Sequence, residues 1–263
     1  MIEENPAELL LWATGLMAIA IGLASWQKLD LTKTLVIATG RTLIQLLGVG
    51  LFLSIVFATR NPFAVLGVLL LMATIAATVA RSRIDRDLPK LLKWVWLSIF
   101  SAALVTMSYV ILLVIRPDPW YNPIYLIPFT GIVLGNAMTA ASIAGDRLVS
   151  ALRNNRIEIE THLSLGATPS QATQTYRKTA IKAGLIPTVN AMMVVGLVTL
   201  PGTITGQLLA GEEPLIAAIN QILIMFMLAL ATLIASLIVT YGIQKQFFTP
   251  AMQLIEPIAV SKL

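Results

Sequence analysis

Apolar residues in this chain gather into long runs separated by short polar breaks. A helix needs about 20 such residues to cross roughly 30 Å of hydrocarbon. The runs Leu9–Trp26, Leu35–Phe57, Phe63–Ala80, Trp94–Ile115, Ile124–Ala144 and Ala217–Tyr241 are of that order. One more, Ala183–Leu200, sixth in chain order, carries Pro187 and Asn190 and is expected to be interrupted. The breaks have helix-stopping chemistry: Asn61-Pro62, Arg116-Pro117-Asp118-Pro119 and Pro201-Gly202 remove donors or permit unusual dihedrals. The pattern predicts an all-α membrane protein of about seven transmembrane helices, with residues 1–263 forming a single transmembrane domain.

Composition agrees. Hydrophobic residues make up 57% of the chain and charged residues 12%, about half the charge a soluble domain carries. Lipid is the expected main solvent. The net charge of +5 does not point to nucleic acid, because the basic residues sit in short segments between apolar runs. Glu3, Glu4 and Glu8 precede the first run without any Lys or Arg, so a cleaved signal is not expected and the N-terminus is placed outside. Alternate loops then put 15 of the 18 basic residues inside, leaving Arg60 and Arg116 outside and Arg41 within the second run. Basic residues set topology in this way, which predicts a cytoplasmic C-terminus. Trp12, Trp26, Trp94, Trp96 and Trp120 lie near run ends, where indoles anchor at interfaces.

Missing residues narrow the function. There is no Cys, which excludes disulfides, thiolate metal sites and cysteine nucleophiles. No Gly-x-Ser-x-Gly nucleophile, His-Glu-x-x-His signature or phosphate loop occurs, and the sole histidine, His162, lies in a loop. An enzyme is not expected, and the chain cannot hydrolyse ATP through a phosphate loop of its own.

Polar groups within the runs cost free energy unless partnered or lining a cavity. Arg41 and Gln45 are four apart, hence on one helix face, as a pathway or clamp, or as a helix end with Arg41 snorkelling. Asn136 sits mid-run beside Gly131 and Gly135, bonding a neighbouring helix or facing a route; Asn190 and Gln221 carry the same alternatives. From Gly184 to Gly211 regularity fails. Pro201-Gly202 and Gly206-Gln207 lead to Gly211 and the pair Glu212-Glu213. Broken helices in transporters often mark the binding site, the alternative being a helix end and an external turn. Met107, Met138, Met192, Met193, Met225 and Met227 offer soft ligands, although methionine in apolar helices is more often packing.

The long loop, residues 146–182, holds the last motif. Its first part, Asp146–Glu160, mixes charges at helical spacing and is expected to continue the fifth helix. Thr168 is positioned to cap a helix with Pro169 in its first turn. Glu160-Thr-His-Leu-Ser-Leu-Gly166-Ala167-Thr168 resembles the EAA loop of ABC-transporter permeases, a Glu six residues before a Gly in a short helix–turn–helix. It departs from the bacterial-importer pattern, since the next Ile-Pro is Ile186-Pro187.

Gly135-Asn136-Ala-Met-Thr-Ala-Ala-Ser, Leu163-Ser-Leu-Gly166-Ala and Leu200-Pro-Gly202-Thr-Ile-Thr-Gly206-Gln207-Leu-Leu-Ala-Gly211, with Arg41-x-x-x-Gln45-Leu, are similar to the FetB/YbbM-type ABC-transporter permease family. That family includes bacterial permeases linked to iron export and plant half-transporters linked to aluminium tolerance. The resemblance implies a homodimeric permease in the lipid bilayer, the cytoplasmic membrane if bacterial. It also implies a separate ABC ATPase that uses the ATP, with no cofactor in this chain. Glu160, Gly166, Ala167 and Thr168 would form the ATPase-coupling helix between helices five and six. Arg41, Gln45, Asn136, Pro201, Gly202, Gln207 and Gln221 are the candidate translocation path. The implied cargo is a metal ion, iron first, with a nucleotide sugar or an aluminium-related substrate as alternatives. An ATP-independent channel or carrier is the reading from another class.

Overall fold

A computed structural model describes residues 6–59, 61–88 and 90–255. Glu3, Glu4 and Arg60, used above to orient the chain, lie outside these residues, as does Lys262, one of the basic residues counted inside. Among the described residues there are ten helices and no strand, only two isolated bridges. Two compact units divide the chain, Met1–Thr59 and Arg60–Leu263.

The first unit is a helical pair, α1 (Pro6–Trp26) and α2 (Thr32–Thr59). The turn between them uses left-handed backbone at Lys28 and Asp30. The Leu29 amide bonds the Ala24 carbonyl at 3.1 Å, closing the end of α1. Trp12, Leu16, Trp26 and Ile44 are largely exposed, an outer surface suited to lipid rather than water.

The second unit contains α3 (Pro62–Ile84), α4 (Leu91–Tyr109), α5 (Pro123–Asn154), α6 (Arg156–Ser164), α7 (Pro169–Ala172), α8 (Gln174–Val194), α9 (Gly202–Leu209) and α10 (Pro214–Phe247). Three of them begin on proline: α3 and α5 have Asn61 and Asn122 as side-chain caps with proline in the first turn, and α10 starts at Pro214. The end of α4 widens into a π-helical turn over Val110–Ile115, closed by Arg116 at φ 49°. Among the described residues, α4 together with that turn joins α3, α5 and α10 as helices both long and apolar enough to cross a membrane. At 1.5 Å per residue α5 and α10 reach about 50 Å, well beyond the hydrocarbon thickness.

Small side chains let these helices approach closely. Ala77 and Ala80 on α3, Ala137, Ala141 and Ala144 on α5, and Ala231 and Ala235 on α10 are fully buried. At Gly184 of α8 there is no room for a side chain: a Cβ would lie 2.7 Å from Ser236 Oγ, 2.9 Å from the Ala140 carbonyl oxygen and 3.0 Å from Ala144 Cβ. This point is the crossing of α8 with α5 and α10. Long-chain packing elsewhere follows the same rule, with the Trp94 ring seated against Gly242.

Two expectations change. The sixth run is not a helix over Ala183–Leu200. The helix starts in the loop at Gln174, passes through Pro187, and ends at Val194. Its apolar portion is about 18 Å long at helical rise, too short to cross alone. Pro187 removes one donor without breaking α8, because the tight contact at Gly184 one turn earlier keeps the helix on its neighbours. The fifth helix, expected to run through Glu160, instead ends at Asn154, and α6 starts afresh after Asn155.

Candidate functional site

The long loop folds into a compact knob by local chemistry. Asn155 turns the chain at φ −112°, ψ 31°; its side-chain Nδ2 donates to the Ala151 carbonyl at 2.8 Å, ending α5. Its own carbonyl accepts from the Ile159 amide at 3.1 Å, beginning α6. Along α6, Ile159 is fully buried while Ile157 is 83% exposed. Glu160 accepts from Arg156 Nε at 2.8 Å, an exposed pair on one helix face. His162 faces Glu158 at 3.9 Å and is likewise exposed, which fits a solvated residue better than a ligand.

Gly166 ends α6 at φ +89°. The Ala167 amide donates to the His162 carbonyl and the Gly166 amide to the Leu163 carbonyl, both at 3.0 Å. This reciprocal pair is the Schellman arrangement, which needs a left-handed residue where glycine stands. Two residues later Thr168 caps α7. Its hydroxyl accepts from the Gln171 amide at 3.3 Å while Gln171 Oε1 accepts from the Thr168 amide at 2.9 Å, with Pro169 in the first turn. Leu165, at the tip, is 80% exposed. The result is a rigid turn that presents Ile157 and Leu165 outward.

Long-range bonds tie this knob to α10, and sequence reading did not find them. Gln244, buried near the end of α10, donates through Nε2 to Thr173 Oγ1 at 3.0 Å and to Ser170 Oγ at 3.3 Å. Thr173 in turn donates to the Pro169 carbonyl at 2.7 Å. One turn back, Arg177 of α8 donates to Thr240 Oγ1 and to the Leu237 carbonyl, both at 3.3 Å. The Tyr176 phenol is pushed up to about 12, by burial first and then by the hydrogen bond and charge of Glu158. A polar amide just past an apolar run was the available signal for Gln244.

At the other end of the second unit, the chain breaks after α8. Gly196 adopts φ +81°, and its amide bonds the Thr199 carbonyl at 2.9 Å, forming a tight turn. Pro201 precedes α9, Gly202 is its first residue, and α9 ends with a second Schellman turn at Gly211, φ +87°. There the Glu212 amide donates to the Gln207 carbonyl at 3.0 Å and the Gly211 amide to the Leu208 carbonyl at 3.1 Å. Gln221 of α10 is buried and accepts a hydrogen bond from Thr203 of α9, which fastens the short helix to the long one. A cavity of about 330 Å³ lies between α8, α9 and α10, lined by Met192, Leu200, Pro201, Ile204, Gln221 and Met225 among others.

The predicted path residues are therefore only partly gathered. Pro201 and Gln221 share this cavity, with Gly202 beside it and Gln207 half-buried on the same short helix outside its lining. Of the two readings of Asn136, an interhelix bond is not formed among the described residues: its Nδ2 donates to the Ile132 carbonyl at 2.9 Å, a back-bond within α5. Asn190 is exposed on α8. Arg41 and Gln45 are exposed on one face of α2 within the first unit. Glu212 and Glu213 are exposed, and among the described residues no three His, Cys, Asp or Glu side chains gather as a metal site. The cavity is apolar, with one amide and two thioethers as its notable heteroatoms.

Comparison with known proteins places this arrangement. Residues 7–248 match the Uncharacterised protein family (UPF0014). The chain is 52% identical to UPF0014 membrane protein slr1647 of Synechocystis sp., over 93% of this chain and 94% of the relative. Protein ALUMINUM SENSITIVE 3 of Arabidopsis thaliana is 34% identical over 90% and 85%, respectively. Probable iron export permease protein FetB of Escherichia coli is 32% identical over 94% of each. No solved structure matches. With its apolar spanning helices, this chain is an integral, multi-pass membrane protein that belongs to the UPF0014 family.

Proposed function

We propose that this chain is the permease subunit of an ABC transporter, exporting a metal ion, iron first, with energy from a separate ATPase. The observation that carries the reading is the knob built by Asn155, Gly166 and Thr168. It is rigid, apolar at its tip and bonded to a spanning helix, as a part that transmits force must be. A relative named as a probable iron export permease supports the transport role. With the N-terminus outside, the knob faces the cytoplasm, where ATP is available.

The same helix serves both ends of the mechanism. Thr240 and Gln244 hold the loop, and Gln221 holds α9 at the cavity. Gln221 lies about 29 Å from Thr240 and about 35 Å from Gln244 along α10 at helical rise. Closure of the ATPase dimer pushes the knob, and α10, held at both ends, moves α9 against the cavity. Glu160 with Gly166, Ala167 and Thr168 makes the coupling surface; Pro201, Gly202, Gln207 and Gln221 border the path. Arg41, Gln45 and Asn136 remain path candidates through helices α2 and α5. Two copies of this chain form the path with two copies of the ATPase.

Co-purification with a Walker-motif ATPase from the same genome, followed by ATPase assays in nanodiscs, tests the pairing. Stimulation by the wild-type chain and its loss on Gly166→Val are expected. An ATPase rate independent of this chain would point to a channel or carrier instead.

A further inference from the structure

Where α4 and α8 begin and α10 ends, beside the long loop, two cations converge on one aromatic ring. Lys245 Nζ lies 4.8 Å from the centroid of Tyr241, and the Arg177 guanidinium carbon lies 5.8 Å from the same point. Trp94 meets the ring edge-on, with centroids 5.8 Å apart and an interplanar angle of 85°. The other bonds of Arg177 go to the uncharged Thr240 hydroxyl and Leu237 carbonyl. Among the described residues neither cation forms an ion pair with a carboxylate. Glu158 and Glu160, the acidic side chains of α6, are engaged with Tyr176, His162 and Arg156. Two like charges held on one ring without a counter-charge repel within roughly a Debye length, about 10 Å at 0.1 M salt. An anion within reach of both would relieve that repulsion.

The level of the cluster in the membrane identifies the anion. The apolar run of α4 begins at Trp94 and that of α10 ends at Tyr241. Indole and phenol rings occupy the layer where hydrocarbon gives way to headgroups. Basic pockets between spanning helices at that layer bind phospholipid headgroups. We propose that Arg177, Lys245, Tyr241 and Trp94 form a binding site for the phosphate of an anionic phospholipid. The two cations hold the phosphate, and the rings cover the glycerol and upper acyl carbons. The lipid braces α8 against α10 beside the Gln244 anchor of the knob.

Full-length protein in mild detergent, offered equal amounts of phosphatidylglycerol and phosphatidylcholine, is examined by native mass spectrometry for retained lipid. Preferential retention of phosphatidylglycerol is expected. Lys245→Gln, an exposed change that leaves the helix contacts intact, lowers that retention about fivefold, the effect of one interfacial cation. Lys178→Gln removes an exposed lysine of α8 that touches no ring, and changes retention by less than about twofold. Inorganic phosphate does not displace the lipid. Equal retention of the two lipids, equal losses in both variants, or displacement by phosphate alone overturns the assignment. So does a Lys245→Gln variant that keeps its lipid while losing the ATPase, since the cations then belong to a protein contact.

Discussion

Replacing Gly166 tests the knob where its geometry is most demanding. The residue sits at φ +89°, and a Cβ built there meets no heavy atom within 4 Å. Any cost is therefore backbone strain rather than a clash. For an ordinary L-residue in left-handed conformation that cost is about 1–2 kcal/mol. Asn tolerates the region best and a β-branched residue worst. The order of damage is therefore Asn, then Ala, then Val. Hydrogen exchange reads this directly at the amides of residues 166 and 167, which bond Leu163 and His162. A local penalty of 1–2 kcal/mol lowers their protection roughly five- to thirtyfold. Protection in α10 stays unchanged, because the turn is exposed. Stimulation of the partner ATPase should fall in the same order. Three variants with equal protection, or ATPase losses that follow side-chain volume instead, would refute the strain argument.

Three further outcomes follow from other contacts. Gly184→Val forces a side chain against Ser236, Ala144 and the Ala140 carbonyl, and overpacking of this kind costs about 1–3 kcal/mol; the melting temperature in detergent should drop, whereas Gly202→Ala, with open space around its Cβ, should leave it unchanged. Gln244→Leu removes both bonds to the knob and leaves buried Thr173 short of a partner, about 1–3 kcal/mol; faster exchange over residues 169–173 with intact spanning helices is expected. Tyr176 loses its proton near 12 in the folded protein against 10 unfolded, so its contribution is fully present below pH 10 and is lost as pH rises to about 12. Wild-type minus Tyr176→Phe stability should therefore decline across that window, and a flat difference would remove Glu158 and burial as causes.

How much of this was legible depends on the range of the chemistry. Local signals read correctly: Asn61-Pro62 separates two helices and Thr168-Pro169 caps one, whereas Pro201-Gly202, expected to stop the sixth helix, instead opens α9 after α8 has already ended at Val194. Each works through bonds within a few residues. The division of α5 from α6 carried no Gly or Pro; it rests on one asparagine folding back onto Ala151, which charge spacing does not reveal. Pro187 was misleading for the opposite reason, since packing at Gly184 holds α8 together across it. The anchors Gln244 to Thr173 and Arg177 to Thr240 join residues 71 and 63 positions apart. Only the fold brings them together. The spanning helices were readable because lipid leaves the backbone little choice but to bond within each helix.

The central claim is that ATP hydrolysis by a partner drives cargo through this chain. Inverted vesicles containing both subunits, loaded with ATP outside, measure it directly through uptake of ferrous iron into the lumen. Uptake that requires the partner's Walker lysine and disappears with Gly166→Val is the result expected. Iron movement that persists without ATP, or with an inactive partner, would contradict the account.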